Sequence, residues 1–335
     1  MSSGSTHVIA ATENGPVDAP QSFVEIDLEL PDLGAHDLLV AVKAVSVNPV
    51  DVKVRASFDP SGGPKVLGFD AAGTVLTIGA EVIDFTVGDD VYYAGSIARP
   101  GSNAERQVVD SRIVGHKPAE LDFAQAAAMP LTTITAWELL FDRLRLTEES
   151  RGHLLVVAGA GGVGSMVTQL ARALTDVTVI ATAARGESAD WARQMGAQHV
   201  VDRHRLRAEV AAIAPEGVSW IFSPFSAGNV KTYADLLVVR GEVVAIDEPA
   251  GLDTLPLKEK SQSWHWEFMF TRPLHEPESS YQHELLDQAA QLLDEGTIRT
   301  TMNRRLSPIT PETLRESHRL VETSSVIGKV VVATE

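Results

Sequence analysis

An apolar run, His153-Leu-Leu-Val-Val-Ala158, ends in Gly159-Ala160-Gly161-Gly162-Val163-Gly164 and passes into a segment of helical pattern. There the apolar positions Val163, Val167, Leu170, Ala171 and Leu174 recur at helical spacing. No other feature of the 335 residues constrains the fold as strongly. A strand that turns through Gly-x-Gly-x-x-Gly directly into a helix leaves the first helical N–H groups without intrahelical partners. It points them, with the positive end of the helix dipole, at one spot. That spot suits a pyrophosphate. Glycine-rich turns also recur by chance, and a merely structural turn is the alternative. The strand before, the helix after and a second apolar run, Val177–Ala181, make the dinucleotide reading specific.

The texture around this unit sets the domain plan. From His153 onward, candidate strands Leu154–Ala158, Val177–Ala181, His199–Val201, Trp220–Ser223, Glu242–Ile246 and Trp264–Phe270 alternate with helical patterns, among them Ser188–Met195 and Val230–Val239. Such alternation predicts an α/β fold with a doubly wound parallel sheet. Residues 7 to about 124 read as β-rich, with short runs such as Asp37–Lys43, Ala71–Ile78 and Asp90–Ala94 between Gly, Pro and Asp clusters. A helical segment begins near Phe123 and runs past Pro130 through Leu140. The tail holds amphipathic helices at Tyr281–Glu295 and near Pro311–Glu322, and a closing strand, Lys329–Val332. With the dinucleotide unit in mid-chain, the first and last segments are expected to form one domain. The predicted organisation is 1–124 with 272–335 in one domain and 125–271 in the other.

A chain of this length holds two full-sized cores. Its hydrophobic content of 44% and charged content of 22% are those of a soluble globular protein, and no apolar run approaches the roughly 18 residues of a membrane helix. The net charge of −17 argues against a nucleic-acid or anionic-membrane surface, though not against a nucleotide in a small positive pocket. Cysteine is absent, which removes disulfides, thiolate nucleophiles and cysteine zinc sites, and a cytoplasmic home is the simplest reading. Residues Met1–Thr6 lack the basic and apolar regions of a signal peptide and read as a short disordered lead.

Four motifs occur in order: Ser46-Val-Asn48-Pro49-Val-Asp51-Val-Lys53, Leu67-Gly-Phe-Asp70-Ala-Ala-Gly73, Phe85-Thr-Val-Gly88-Asp89-Asp-Val91 and the glycine turn at 158–164. The array resembles the medium-chain dehydrogenase/reductases, in particular their zinc-free, quinone oxidoreductase-like branch. Late segments, His265–Phe270 and Ile327–Val330, match the same branch. The resemblance implies a GroES-like β domain interrupted by a Rossmann domain, with the active site in the cleft between them. It also implies a homodimer paired through the last Rossmann strand.

Zinc-dependent members of that family carry a Cys near position 46, a His in Gly-His-Glu at 68–70 and a four-cysteine lobe. Here those places hold Ser46 and Gly68-Phe69-Asp70. Phenylalanine has no lone pair to give and a neutral hydroxyl is a poor zinc ligand, so a metal-free site is expected. None of the ten histidines forms a convincing chelating pair. NAD enzymes of this fold place an acid at the end of the second strand. In this chain that strand ends Ala181-Thr182-Ala183-Ala184-Arg185, with no acid before Glu187. A small residue followed by arginine leaves room for a 2′-phosphate and offers a guanidinium fork to hold it, with Arg203 as a second cation. NADPH is therefore the expected cofactor. The alternative is that both arginines are solvated loop residues.

By resemblance, Asn48 and Asp51 lie at the cleft floor beside the nicotinamide ribose. There Asn48 can donate to a substrate oxygen and Asp51 can orient a neighbour or relay a proton. The bland alternative is an Asx-type turn with purely local bonds. Asp70 reads as structuring the former metal pocket. The resemblance further implies cofactor contacts from Thr135, Thr182, Ser223, Ile246, Trp266, Phe268 and Lys329, and substrate contacts from Phe58, Tyr93 and Trp266. Trp264, Trp266, Phe268 and Phe270 recur at period two, which reads either as core packing or as the wall of a flat apolar pocket. Many quinone oxidoreductases carry a tyrosine beyond the Asn-Pro motif where this chain has Ser57-Phe58-Asp59, so no proton donor is assigned; Tyr92, Tyr93 and water are candidates. The expected function is zinc-independent hydride transfer from NADPH to quinones or α,β-unsaturated carbonyl compounds. An NADPH-binding redox sensor or structural protein with negligible turnover is the runner-up, and zinc-bound alcohol oxidation the third reading.

Overall fold

The computed structural model describes residues 4–184 and 186–335; Met1–Ser3 of the expected lead and Arg185 lie outside the described residues. Two compact units emerge. One takes the chain up to Ile134 together with Phe270–Glu335, and the other is Thr135–Met269.

The first unit holds β1 (Ser5–Ala11), β2 (Val24–Glu29), β3 (Asp37–Val47), β4 (Lys65–Val66), β5 (Ala71–Ile78), β6 (Asp90–Tyr93), β7 (Arg106–Asp110) and β8 (Val114–His116). Helix α1 (Pro49–Ser57) follows β3, and α2 (Phe123–Ala127) and α3 (Pro130–Trp137) follow β8. The strand β3 is long and nearly all buried because it is paired by β5, β7 and the C-terminal strand, leaving neither edge to water. The side chains of Leu38, Val40, Val42, Val45, Leu67, Val75, Val91, Val114, Leu314 and Val332 fill its core, each contributing about 1.5–3 kcal/mol on burial. Ser5 and Thr6 pair with Glu29 and Leu28, so the disorder expected over Met1–Thr6 does not hold for these two residues. The helical stretch expected from Phe123 through Leu140 is broken before Pro130, whose ring cannot continue a helix that needs its N–H. Because α2 packs on β3 and β5, the first segment of this unit extends past 124.

In the second unit, β9 (His153–Val156), β10 (Thr178–Thr182), β11 (His199–Val201), β12 (Val218–Ser223), β13 (Leu237–Ala245) and β14 (Ser263–Trp266) form one parallel sheet in the order β11-β10-β9-β12-β13-β14. Helices α4 (Gly162–Leu174), α5 (Gly186–Gln194), α6 (Leu206–Ile213) and α7 (Val230–Leu236) connect them. Strand order reverses between β9 and β12, the topological switch point at which open parallel sheets bind ligands outside their carboxyl ends. Two expectations fail here. The apolar run Leu236–Val239 is shared between the end of α7 and the start of β13, not helical to Val239, since a short buried run fits either period. The stretch Trp264–Phe270 stays extended only to Trp266, and Phe270 is a buried member of the other unit.

The chain returns to the first unit with α8 (Thr271–His275), α9 (Tyr281–Asp294), β15 (Met302–Leu306), α10 (Pro311–Glu322) and β16 (Lys329–Ala333), the last inserted between β15 and β3. Helix α9 packs on β8 through His116, whose Nδ1 lies 3.0 Å from Asp287 Oδ2 while its ring stacks on Phe85 at 4.5 Å. The Asp287 hydrogen bond raises the His116 pKa against partial burial, and the His116 contacts lower that of Asp287 against its own burial. A folded-state histidine pKa above the unfolded value means stability that is full below about pH 6.5 and is lost as pH rises through the folded pKa. Wild type should therefore lose melting temperature as pH rises above about 6.5, and His116→Phe should shrink that loss. An unchanged slope in the variant would assign the dependence elsewhere.

Candidate functional site

Within the second unit, the carboxyl edge of the sheet gathers most of the expected cofactor residues. Ala158 sits in the left-handed region at φ 56, an uncommon place for a residue with a Cβ. It is held there by its own N–H, which donates to Thr182 Oγ1 at 2.9 Å, and by the next residue's N–H, Gly159 to the Thr182 carbonyl at 3.1 Å. Thr182 is thus the brace of the glycine turn. A Cβ on Gly164 would stand 2.4 Å from the Ala158 carbonyl oxygen, so this glycine permits the helix to close on the strand. Gly161 differs: it is the N-cap of α4 at φ −76, ψ 172, and a Cβ there would meet only the Ala158 oxygen, at 3.4 Å. The first amides of the thirteen-residue α4, from Gly162, Val163 and Gly164, therefore face an uncrowded spot beside Ala160 and Gly161. A pyrophosphate fits this cradle.

The same edge carries Ser223 and Ile246 at the ends of β12 and β13, joined by the Ile246 N–H to the Ser223 carbonyl at 3.2 Å. The Ser223 hydroxyl is buried and shares a hydrogen bond with Tyr233 at 2.8 Å. Arg203 lies just beyond β11, exposed, with its Nε 3.3 Å from His204 Nε2. Thr135 is buried on α3. Trp266, the last residue of β14, and Phe268, two residues beyond it, are each about half exposed, whereas Trp264 packs edge-on against Trp266 at 5.8 Å.

Nothing in the spacing marked Glu138 and Glu267. Both are buried in this unit and hydrogen-bonded to each other, with Arg143 Nε 3.4 Å from Glu267 Oε2. Glu138 opens a wider, π-helical turn, Glu138–Arg143, closed by the Leu144 N–H on the Leu139 carbonyl. Burial first, and the neighbouring Glu138 second, push the Glu267 carboxyl up to about 9, so the pair holds a proton at neutral pH.

The first unit builds a different centre. Asn48 is the N-cap of α1, Pro49 its first residue and Asp51 its third, so the Asn48 N–H donates to Asp51 Oδ2 at 2.8 Å. Asp51 Oδ1 accepts from Gly68 N–H at 2.9 Å, tying the helix start to the segment leading into β5. Asp70 accepts Leu131 N–H at 2.7 Å on one oxygen, and Asn48 Nδ2 at 2.8 Å and Lys329 Nζ at 2.7 Å on the other. The Lys329 ammonium also donates to Asn48 Oδ1. All four residues are buried. Burial pushes Asp51 up to about 7, against its two backbone N–H donors and Lys329, and raises Asp70 against Lys329 and Asn48. Asn48 and Asp51 are therefore not an isolated local turn. The amide of Asn48 is engaged on both sides, its carbonyl by a cation and its NH2 by a carboxylate.

Other expected residues stand apart from this cluster. Phe58 caps the far end of α1, about 15 Å along the helix axis from Asn48 at 1.5 Å per residue. Tyr92 donates its hydroxyl to the Leu286 carbonyl at 2.6 Å, and Tyr93 is buried in the apolar core with its hydroxyl unpartnered among the described residues. Neither reaches the Asn48 group by hydrogen bonding.

The donor set does not suit zinc. Ser46 donates its hydroxyl to the Val330 carbonyl at 3.1 Å, Phe69 is buried against Phe270, and both Asp70 oxygens already accept N–H groups. Among the described residues no group of three His, Asp or Glu side chains is arranged to hold a metal ion. No helix among them is long and apolar enough to cross a membrane.

Comparison with known proteins places this architecture. Residues 34–132 match the alcohol dehydrogenase GroES-like domain, and 195–332 match the zinc-binding dehydrogenase family. A zinc-type alcohol dehydrogenase-like protein of Staphylococcus epidermidis (strain ATCC 12228 / FDA PCI 1200) is 36% identical over 326 residues, covering 94% of this chain and 96% of that one. The chloroplastic NADPH-dependent alkenal/one oxidoreductase of Arabidopsis thaliana is 38% identical over 189 residues, 53% of this chain and 48% of its own. The crystal structure of a proposed zinc-dependent alcohol dehydrogenase from Rhizobium etli CFN 42 superposes with a TM-score of 0.95 at 46% identity, covering 99% of each chain. With a GroES-like unit interrupted by a parallel-sheet Rossmann unit, and with the Staphylococcus and Rhizobium proteins alike over nearly their whole length, this chain belongs to the medium-chain dehydrogenase/reductase superfamily of oxidoreductases.

Proposed function

We propose that this protein is an NADPH-dependent oxidoreductase that reduces quinones or α,β-unsaturated carbonyl compounds without zinc. The observation that carries the reading is the pairing of an open pyrophosphate cradle at Gly161–Gly164 with a buried cluster that has no place for a metal ligand set. The α4 amides with Gly159–Gly164 would hold the pyrophosphate, and Thr182 braces their turn. Arg185 and Arg203 would hold the 2′-phosphate. When bound, the nicotinamide supplies hydride. The resemblance to a relative named as an NADPH-dependent alkenal/one oxidoreductase supports both the cofactor and the conjugated carbonyl class. Such substrates accept hydride at an electron-poor carbon, which lessens the need for an acid. That accords with an Asn48 amide already engaged by Lys329 and Asp70. The sheet edge at β14, with Trp266 and Phe268 half exposed, supports a homodimer paired through that strand.

The test is a panel of quinones and enones with NADPH and NADH. NADPH oxidation should be accelerated at least about tenfold more by conjugated acceptors than by simple ketones. Arg185→Ala combined with Arg203→Ala should cut the NADPH-over-NADH preference by about tenfold or more, roughly one charge-assisted contact. Tight NADPH binding with no turnover across the panel would instead favour the sensor reading.

A further inference from the structure

We propose that Lys329 is a tethered cation that takes the place of a metal ion in the Asn48–Asp70 cluster, so that this site is charge-complete without zinc and excludes it. The inference deepens the zinc-independent reading above, and it rests on contacts within the first unit alone.

The ammonium occupies the focus of the cluster. It lies 2.7 Å from Asp70 Oδ2 and donates to the carbonyl oxygen of Asn48, two oxygen donors of the kind a hard cation would take. The other carboxylate oxygens of the cluster are committed to N–H groups: Asp70 Oδ1 to Leu131, and the two Asp51 oxygens to Asn48 and Gly68. Lys329 is 4% exposed and its partners are no more so. A buried carboxylate needs a counter-charge, and this one is supplied from β16 across 259 residues of sequence. Strand register fixes it. Val330 pairs with Val47 and Val331 with Ser46, so the residue that opens β16 lies beside the end of β3, where Asn48 caps α1. A divalent ion in the same place would face the ammonium at contact distance, and Ser46 and Phe69 add no ligand to compensate. Positive charge in this cluster therefore comes as a side chain, and it sets the orientation of the Asn48 amide.

Removing the cation alone should be far worse than removing the ion pair. In thermal melts of the full chain, Lys329→Met should lower Tm by several degrees, about the loss expected when a buried pair is broken on one side. Asp70→Asn should lower Tm in the wild-type background yet raise it in the Lys329→Met background. In Lys329→Ala, ethylammonium at about 50 mM should restore a substantial share of the lost Tm, while sodium and tetramethylammonium should not. Protein produced with excess zinc should carry well under about 0.1 zinc per chain, and added zinc should not raise its Tm. If Lys329→Met fails to fold and the double variant folds, the charge argument stands. Stoichiometric zinc in wild type overturns it, as does an Asp70→Asn effect of the same sign in both backgrounds or a double variant that also fails to fold. None of these readouts depends on turnover, so an inactive wild-type enzyme would count against the proposed reaction and leave this inference standing.

Discussion

Gly161→Asp is expected to abolish nicotinamide-nucleotide binding while leaving the melting temperature unchanged or slightly higher. The two halves of that expectation come from different physics. Gly161 has an ordinary φ, and an added Cβ meets nothing closer than 3.4 Å, so the backbone tolerates a side chain. Aspartate is moreover a favoured N-cap, contributing a few tenths of a kcal/mol over glycine and complementing the α4 dipole. In the bound state its carboxylate would face the pyrophosphate at the very amides meant for the phosphate. Two like charges about 4 Å apart near a protein surface cost about 4 kcal/mol, enough to weaken binding by at least about a hundredfold. Gly164→Val is the contrasting control, because its Cβ would strike the Ala158 carbonyl, so stability and binding should fall together. Equilibrium dialysis with NADPH and thermal melts on both variants separate the cases. Unaltered affinity in Gly161→Asp would mean that the cradle is not where the phosphates lie.

The second large effect concerns the buried carboxyl pair. Glu267 has a folded pKa of about 9 against an ordinary value of 4.5, so the native state keeps a proton that the unfolded chain has already released. Stability from this group is full below about pH 4.5 and is lost as pH rises toward 9, by up to about 1.4 kcal/mol for each pH unit. Glu267→Gln removes the titration but keeps the shape, and its amide can donate to Glu138 while its carbonyl accepts from Arg143. The variant should therefore be more stable than wild type at pH 8, by on the order of 2 kcal/mol, with a flatter profile in urea melts between pH 5 and 9. If the two profiles run parallel, the pair does not share a proton.

How much of this was legible in the chain follows from the range of each interaction. The strand–turn–helix at His153–Leu174 and the strands Ala71–Ile78 and His199–Val201 declare themselves through local periodicity, and the structure has them. Where one apolar run serves two elements, as at Leu236–Val239, periodicity cannot place the border. The aromatic repeat Trp264–Phe270 misleads for a related reason: alternation persists in the sequence after the strand has ended, and Phe270 packs in another unit against Phe69. The motif containing Asn48 and Asp51 was visible, but what engages it was not. Lys329 meets Asp70 through strand register, and register leaves no mark on spacing. Glu138 and Glu267 carried no signal at all, since a buried glutamate looks in sequence like the exposed ones that outnumber it.

The position of β16 bears on how the molecule is made. It lies between β15 and β3, so a ribosome that has delivered everything through α10 has produced a sheet with an open slot beside β3 and an Asp70 still without its Lys329 partner. The parallel-sheet unit, continuous from Thr135 to Met269, can condense during translation, whereas the split unit must wait for its last few residues to emerge. Truncation by a handful of residues at the carboxyl terminus should accordingly cripple the half of the protein that was synthesised first.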